Sequence, residues 1–169
     1  MPPSEPFESS ASWKCAVPTR TRAEFPVCSQ QMPWLALRDG IEWRPLRFGG
    51  NGWALQLRLQ PGAVVVRHRH TGEVHSLTLS GRRELIDTHE EIGPGTYVYE
   101  PPGNIDSWSC VGHEPCVVHI NLTGRVEYLD HDDSVIGYSD VHVQRQTYLD
   151  WCAANGREIE VPMVHHEIR

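Results

Sequence analysis

Short runs of alternating apolar and polar residues fill the middle of the chain, and turns rich in glycine and proline separate them. The runs are Trp43 to Phe48, Trp53 to Leu59, Ala63 to His70, His75 to Leu79, Arg83 to Asp87, Thr96 to Glu100, Trp108 to Cys110 and Cys116 to Thr123. Many short strands with such turns are typical of a sandwich or a barrel. The pattern predicts an all-β fold, and a small double-sheet jelly roll fits it best.

The two ends of the chain differ from this strand-rich middle. Near the C-terminus, helical spacing from Val141 to Ala154 predicts one helix, which Ser139 or Asp140 can cap and Gly156 can end. The N-terminal segment is irregular and predicts a partly extended arm, packed either on its own barrel or on a neighbouring subunit. At 169 residues we expect a single domain with three parts: an arm (1–31), a barrel (32–128) and a C-terminal turn, helix and tail (129–169).

One predicted strand carries two histidines, His68 and His70, separated by a single residue. Side chains at this spacing point to the same face of a strand, so both imidazoles can reach one metal ion. Gly62 precedes the pair with the spacing G-x5-H-x-H. The glycine framework favours a metal site over two ordinary strand histidines.

A second block, G-x5-P-x-G-x2-D, runs from Gly95 through Pro101 and Gly103 to Asp106. Together the two blocks resemble the paired motifs of the cupin superfamily, G-x5-H-x-H-x(3,4)-E-x6-G and G-x5-P-x-G-x2-H-x3-N. The resemblance implies a single-domain cupin, in which strands of a jelly-roll barrel (a double-stranded β-helix) hold a metal ion.

The chain departs from the superfamily pattern at three positions. At the glutamate position it has His75, although Glu73 can also supply the carboxylate if the register is displaced. Asp106 replaces the last histidine, and Cys110 replaces the asparagine. These changes alter the implied ligand set, and they retain groups able to bind a metal.

Two longer sequence motifs indicate a particular group of cupins. His-Arg-His-Thr-Gly-x-Val-His from His68 and Tyr-Val-Tyr-Glu-Pro-Pro-Gly from Tyr97 are similar to the 2,4'-dihydroxyacetophenone dioxygenase-like single-domain cupins, relatives of acetylacetone dioxygenase. The similarity extends from about Met32 to Trp151. It implies a non-haem Fe(II) held by three histidines and cleavage of a C–C bond beside a carbonyl group with O2. Asp106 stands in this chain where the third histidine is implied.

Four further side chains have alternative interpretations. Alternation with Leu77 and Leu79 suggests that His75 faces inward, as a third ligand or as a core histidine. Asp106 is either a ligand, giving a set of two histidines and one carboxylate that suits Fe(II), or a residue that caps the turn. We also expect Glu100 to orient a ligand histidine or to act as a reserve ligand, and His119 to be a catalytic contact if its strand face is inward.

Composition restricts the class of protein. The formal net charge of −7 and the pI near 5.8 argue against a nucleic-acid partner. No long apolar run predicts a membrane span, and the N-terminus does not resemble a signal peptide, so we expect a cytoplasmic protein. The five cysteines show no C-x-x-C spacing and predict reduced thiols rather than a disulfide framework.

Three functions are consistent with these observations. The leading hypothesis is an Fe(II) dioxygenase that acts with O2 on a small carbonyl compound, either an aromatic ketone or a 1,3-diketone. The second is an O2-independent lyase, isomerase or cyclase that uses Zn(II), Ni(II) or Mn(II) on a dicarbonyl or polyketide-like substrate. The third is a non-catalytic metal-binding sensor, since related barrels occur in zinc-binding anti-sigma factors. We expect a homodimer, because edge strands need cover.

Overall fold

The computed structural model describes residues 26–164. The strands are β1 (Leu35–Arg38), β2 (Ile41–Gly49), β3 (Gly52–Leu59), β4 (Val64–His70), β5 (Val74–Ser80), β6 (Arg82–Leu85), β7 (Glu90–Ile92), β8 (Tyr97–Glu100), β9 (Ile105–Val111), β10 (Cys116–Thr123), β11 (Arg125–Leu129), β12 (Val135–Asp140) and β13 (Met163–Val164). One helix, α1 (Val141–Asn155), lies between β12 and β13. The predicted all-β fold with one C-terminal helix is confirmed.

Two sheets form the barrel. One has the strand order β1-β2-β3-β10-β5-β8, with β13 beside β2, and the other has the order β12-β11-β4-β9-β6-β7. Every pairing is antiparallel except that of β13 with β2. Neighbours in each sheet that are distant in sequence indicate the long connections of a jelly roll.

The apolar core fills the space between the sheets. Its two clusters are centred on large side chains such as Trp43 and Phe48 in one and Trp108 in the other. The helix contributes Tyr148 to the first cluster, and the Tyr148 ring lies 5.9 Å from that of Phe48. The helix therefore closes one end of the core.

The helix begins and ends where the sequence predicts. The Asp140 carboxylate accepts hydrogen bonds from the backbone N–H groups of His142 and Val143, which have no partner within the helix. Gly156 ends it with φ of 60°, a left-handed conformation that glycine adopts without strain. Both signals are local, which is why the sequence was sufficient to place them.

Some elements differ from the expectation. Strands β11 and β12 pair with each other, and β12 lies in the segment expected to hold only the turn, helix and tail. Cys28 takes part in a disulfide, so the expectation that all five cysteines are reduced is wrong there, whereas Cys110, Cys116 and Cys152 are free thiols. Most of the predicted arm, residues 1–25, lies outside the described residues.

Candidate metal centre

Strands β4 and β9 bring three potential ligands together. In their antiparallel register His68 lies directly opposite Asp106, so the two side chains are neighbours on the inner face. His70 follows two residues later on the same face of β4. The pairing shows why an H-x-H on one strand and a carboxylate on the next can meet at one point.

A β-bulge in β4 sets which residues face inward. The register with β9 shifts between Val65 and His68, and both of these residues line the interior cavity. In a regular strand, residues three apart point to opposite faces. The extra residue in the bulge shifts the alternation of side chains by one position, so that Val65 and His68 face the same side. The N-terminal part of β4 therefore contributes an apolar side chain to the cavity, and its C-terminal part contributes the two histidines.

The donor atoms of the three side chains converge. The His68 and His70 Nε2 atoms are 2.9 Å apart, and Asp106 Oδ1 is 3.1 Å from His68 Nε2. One donor atom from each residue lies within 4.8 Å of the others. Ligand atoms about 2.1 Å from a metal and at right angles to each other are about 3.0 Å apart, so this spacing fits a coordination shell.

A hydrogen bond fixes the orientation of the His68 ring, whereas other polar atoms of the cluster have no hydrogen-bond partner. His68 Nδ1 is 2.8 Å from the Val66 carbonyl oxygen; a proton on Nδ1 donates to that oxygen and leaves the lone pair on Nε2. Within residues 26–164, His70 Nδ1 and Asp106 Oδ1 have no hydrogen-bond partner. His68 and His70 are 4% and 5% exposed, so the unmet bonding capacity is buried, as a metal site requires.

Glu100 approaches the same point from the opposite sheet. Its Oε2 is 3.5 Å from His70 Nε2 and accepts a hydrogen bond of 3.0 Å from Asn104 Nδ2. The Pro-Pro-Gly turn is attached to β4, because Gly103 N donates to the His70 carbonyl at 2.7 Å and His70 N donates to the Asn104 carbonyl at 3.0 Å. Gly103 has φ of 88°, which favours glycine in this turn.

Burial changes the protonation of the cluster. It lowers the pKa of His70 to about 3, assisted by the neighbouring His68, and it also lowers the pKa of His68. Burial raises the pKa of Asp106 to about 6, against the opposing effect of Arg83. It raises the pKa of Glu100 as well, and the Asp106 charge adds to that shift. The imidazoles are therefore neutral and ready to bind a cation, and their contacts with the carboxylates are not ion pairs.

His68, His70 and Glu100 line a cavity of about 100 Å³ between the sheets. Apolar side chains form most of its wall: Leu37, Ile41, Trp43, Trp53, Leu55, Leu57, Val65, Val74, Trp108, Ile120, Leu122 and Val126. Arg83 also lines it, and sequence reasoning did not single out this residue. Alternation could have indicated it, because Arg83 and the apolar Leu85 are two residues apart and lie on the same face of β6.

The structure does not bring His75 to the cluster. Its imidazole hydrogen bonds to the Tyr97 hydroxyl on the outer face of the barrel, and its side chain is 43% exposed. As alternation predicts, His75, Leu77 and Leu79 share one face of β5. That face points outward, and the polar residues of the opposite face, Ser76 and Thr78, are buried.

Glu73 and His119 also lie on the outside. The Glu73 carboxylate accepts a hydrogen bond of 3.1 Å from the Tyr99 hydroxyl, and its side chain is exposed. His119 is half-buried on β10, on the face opposite Ile120 and Leu122, which line the cavity. Burial lowers the pKa of His119. Neither residue joins the interior cluster.

Sequence comparison identifies one matching family. The family described as "ChrR Cupin-like domain" matches residues 22–125, which is more than half of the chain. No curated protein matches the sequence at a significant level.

Solved structures share the fold at low identity. A protein of unknown function with a cupin-like fold from Ralstonia eutropha JMP134 has a TM-score of 0.77 and 22% identity, covering 89% of this chain and 97% of its own. An acetylacetone dioxygenase from Acinetobacter johnsonii has a TM-score of 0.66 and 14% identity, covering 81% and 97%. The polyketide cyclase RemF from Streptomyces resistomycificus has a TM-score of 0.53 and 17% identity, covering 69% and 84%. At these identities the likeness concerns the fold alone.

Proposed function

The chain belongs to the ChrR cupin-like domain family, and we propose that it is a metal-dependent enzyme whose ion is held by His68, His70 and Asp106. The observation that carries the proposal is the convergence of one donor atom from each of these three residues, within 4.8 Å of one another, beside an apolar cavity that the two histidines line. Glu100 stands next to them as a further carboxylate. No helix in residues 26–164 is long and apolar enough to cross a membrane.

The proposed metal is Fe(II), and the proposed reaction is cleavage by O2 of a C–C bond in a small aromatic ketone or 1,3-diketone. Two histidines and one carboxylate form the type of ligand set that Fe(II) oxygenases use. When bound, Fe(II) would supply Lewis acidity to a carbonyl oxygen and a route for electrons from the substrate, which is the net reductant, to O2. The resemblance of the motifs to the dihydroxyacetophenone dioxygenase-like cupins supports the substrate class.

The protein's own groups have separate roles in this proposal. The bond from His68 Nδ1 to the Val66 carbonyl keeps the opposite nitrogen directed at the ion. Glu100, whose pKa is raised by burial, takes a proton from the carbon between or beside the carbonyl groups. The apolar wall excludes water, which strengthens the electrostatic contacts made to the resulting anion.

The experiment combines metal content with O2 consumption. Protein purified without oxygen is analysed for metal and then mixed with O2 and either acetylacetone or 2,4'-dihydroxyacetophenone. We expect about one iron per chain and O2 uptake that matches the loss of substrate and the appearance of two cleavage products. His70→Ala is expected to lose both metal and uptake, while His75→Ala on the outer face serves as the matched control. Metal-free wild-type protein, or equal metal in His70→Ala, contradicts the proposal.

A second candidate is an O2-independent lyase, isomerase or cyclase that uses Zn(II), Ni(II) or Mn(II). The fold likeness to a polyketide cyclase favours it, as does a ligand set that does not restrict the metal to iron. In the same experiment this activity is recognised by loss of a dicarbonyl or polyketide-like substrate without O2 uptake. It requires the same three ligands, so the His70→Ala result applies to both candidates.

A further inference from the structure

Arg83 is a charged residue buried in the wall of the cavity. It is 2% exposed and ranks among the largest fully buried side chains. A guanidinium group stays protonated in proteins, and a buried charge is strongly unfavourable unless it is paired. If contacts within the protein fully pair the Arg83 charge, its role is structural; if they do not, the charge is available to a ligand.

The contacts in the described part of the chain leave the group incompletely paired. Arg83 Nη2 donates one hydrogen bond of 2.9 Å to Ser76 Oγ, and Arg83 Cζ lies 5.0 Å from the centre of the Trp108 ring. Its Nε has no hydrogen-bond partner within residues 26–164. Among these residues no carboxylate lies within 4.0 Å of it, although the charges of Glu100 and Asp106 stabilise the guanidinium from farther away. A neutral hydroxyl and a ring face compensate only part of a buried positive charge.

The neighbouring arginine provides a contrast. Arg82 points outward and pairs with Glu91 at 2.8 Å, and Arg58 and Arg69 likewise pair with Glu42 and Glu127. The side chains of these arginines are 31% to 55% exposed, and pairing contributes less to stability where water reaches the charge. Arg83, for which pairing matters most, faces the cavity instead.

The charges of the cavity agree with a negatively charged occupant. A divalent ion and Arg83 are opposed by the Asp106 carboxylate and by Glu100, and the balance stays positive whether or not Glu100 holds a proton. The rest of the wall is mostly apolar, and its other charged residue, Arg38, is also a cation. An anionic group in the cavity would complete the pairing of Arg83 and reduce this excess.

We propose that Arg83 binds a carboxylate of the substrate, which makes the substrate a small keto acid rather than a neutral diketone. The guanidinium has free N–H donors in a planar fork, the geometry that matches a carboxylate. The carbonyl group of the same molecule would then lie toward the histidine cluster. This inference rests on the proposed function for the metal, and it replaces the neutral ketone or 1,3-diketone of that proposal with a keto acid.

The test compares two ligands of nearly the same shape, acetoacetate and acetylacetone, which differ by a carboxylate in place of an acetyl group. Binding to the Zn(II)-loaded protein, which cannot carry out redox turnover, is measured by calorimetry and by the total tryptophan fluorescence, to which Trp108 beside Arg83 contributes. We expect the wild type to bind acetoacetate at least about tenfold more tightly, the effect of one charged hydrogen-bonded contact. Equal affinities for the two ligands overturn the proposal.

Variants at Arg83, with a control at Arg82, separate anion binding from a structural role. Arg83→Gln is expected to weaken acetoacetate at least about tenfold and to change acetylacetone by less than about twofold. The surface control Arg82→Gln should change neither ligand. Equal weakening of both ligands by Arg83→Gln shows a structural role and overturns the proposal. If that variant does not fold, Arg83→Lys keeps the charge and should retain the preference for acetoacetate; loss of the preference in folded Arg83→Lys counts against the proposal.

The experiment distinguishes failure of the metal proposal from failure of the anion-site proposal. Metal content is measured before each titration, and the titrations are repeated on chelator-treated protein. A preference for acetoacetate that depends on Arg83 without bound metal supports the anion site even if the protein proves to bind no metal. Normal metal binding with no preference for acetoacetate supports the metal site and rejects the anion site.

Discussion

Two groups of histidine and carboxylate lie on opposite sides of the barrel wall. The inner group is His68, His70 and Asp106, and the outer group is His75 with Glu73, beside Tyr97 and Tyr99. Their residue types are alike, but the inner histidine side chains are at most 7% exposed while the His75 side chain is 43% exposed. In the outer group His75 bonds to Tyr97 and Glu73 to Tyr99, whereas the inner donors have unmet capacity.

The difference shows what distinguishes a candidate metal centre from a polar surface cluster. Outside the barrel, hydroxyl groups and water satisfy the donors, so nothing favours a bound ion. Inside, desolvation keeps the imidazoles neutral and raises the pKa of the carboxyl groups. A metal ion can satisfy the inner donors together, and each of the following predictions tests this contrast.

The largest expected effect is that of removing an inner imidazole. His70→Ala should lower Zn(II) affinity at least about a hundredfold, about 2.8 kcal/mol, because even outer contacts of a metal site contribute ten- to hundredfold. Competition with a chelating dye measures the affinity, and circular dichroism confirms that the barrel is folded. Wild-type affinity in the folded variant would remove the basis for the inner site.

Asp106 should have the next largest effect. Asp106→Ala is expected to weaken metal binding about ten- to hundredfold, or about 1.4 to 2.8 kcal/mol. Asp106→His should retain metal, since imidazole also binds metal ions. The resemblance to related cupins implies a histidine at this position. An unchanged affinity in Asp106→Ala would mean that His68 and His70 bind the ion with Glu100 instead.

In metal-free protein the same carboxyl group should oppose folding at neutral pH. Its pKa of about 6 lies above the value of about 4 for an unfolded chain, so the stability it contributes is present below about pH 4 and is lost as the pH rises through about 6. Asp106→Asn should therefore stabilise the chelated protein at about pH 8 by on the order of 2 kcal/mol, and less toward pH 5. Urea unfolding measures the difference, and a wild type as stable as the variant at about pH 8 contradicts it.

The smallest effect is expected on the outer face. His75→Ala should leave metal affinity within about twofold and change the free energy of unfolding by no more than about 0.5 kcal/mol, as for most surface substitutions. The same dye competition and urea unfolding are sufficient. A large loss of metal in this variant would show that the two groups communicate through strand β5, and the contrast between them would then be incorrect.

The sequence was informative wherever the signal was local or carried by a motif. The spacing of His68 and His70 predicts a shared strand face, and the helix caps at Asp140 and Gly156 depend on adjacent residues. His75 shows the limit, because alternation defines which residues share a face but not which face is buried. Leu77 and Leu79 suggested that their face was inward, yet Ser76 and Thr78 are buried instead.

Arg83 and β12 were not predicted for related reasons. A buried arginine breaks the rule that charged residues lie outside, and its favourable contacts come from Ser76 and Trp108, on other strands. Strand β12 follows a charged turn and is mostly exposed, so it lacks a clear apolar pattern. Tertiary pairing with β11 forms this strand, and sequence periodicity does not report such pairing.

The bulge in β4 also has a consequence for how the site tolerates mutation. The group that orients the His68 ring is the peptide carbonyl of Val66, at a point where the ladder with β9 is interrupted. A substitution at Val66 changes only the side chain, so point mutation leaves the acceptor in place. Deletion of that one residue is different: regular alternation would still direct Val65, His68 and His70 inward, but the carbonyl would be lost. The orientation of this histidine is therefore protected against missense changes and is vulnerable to a single-codon deletion.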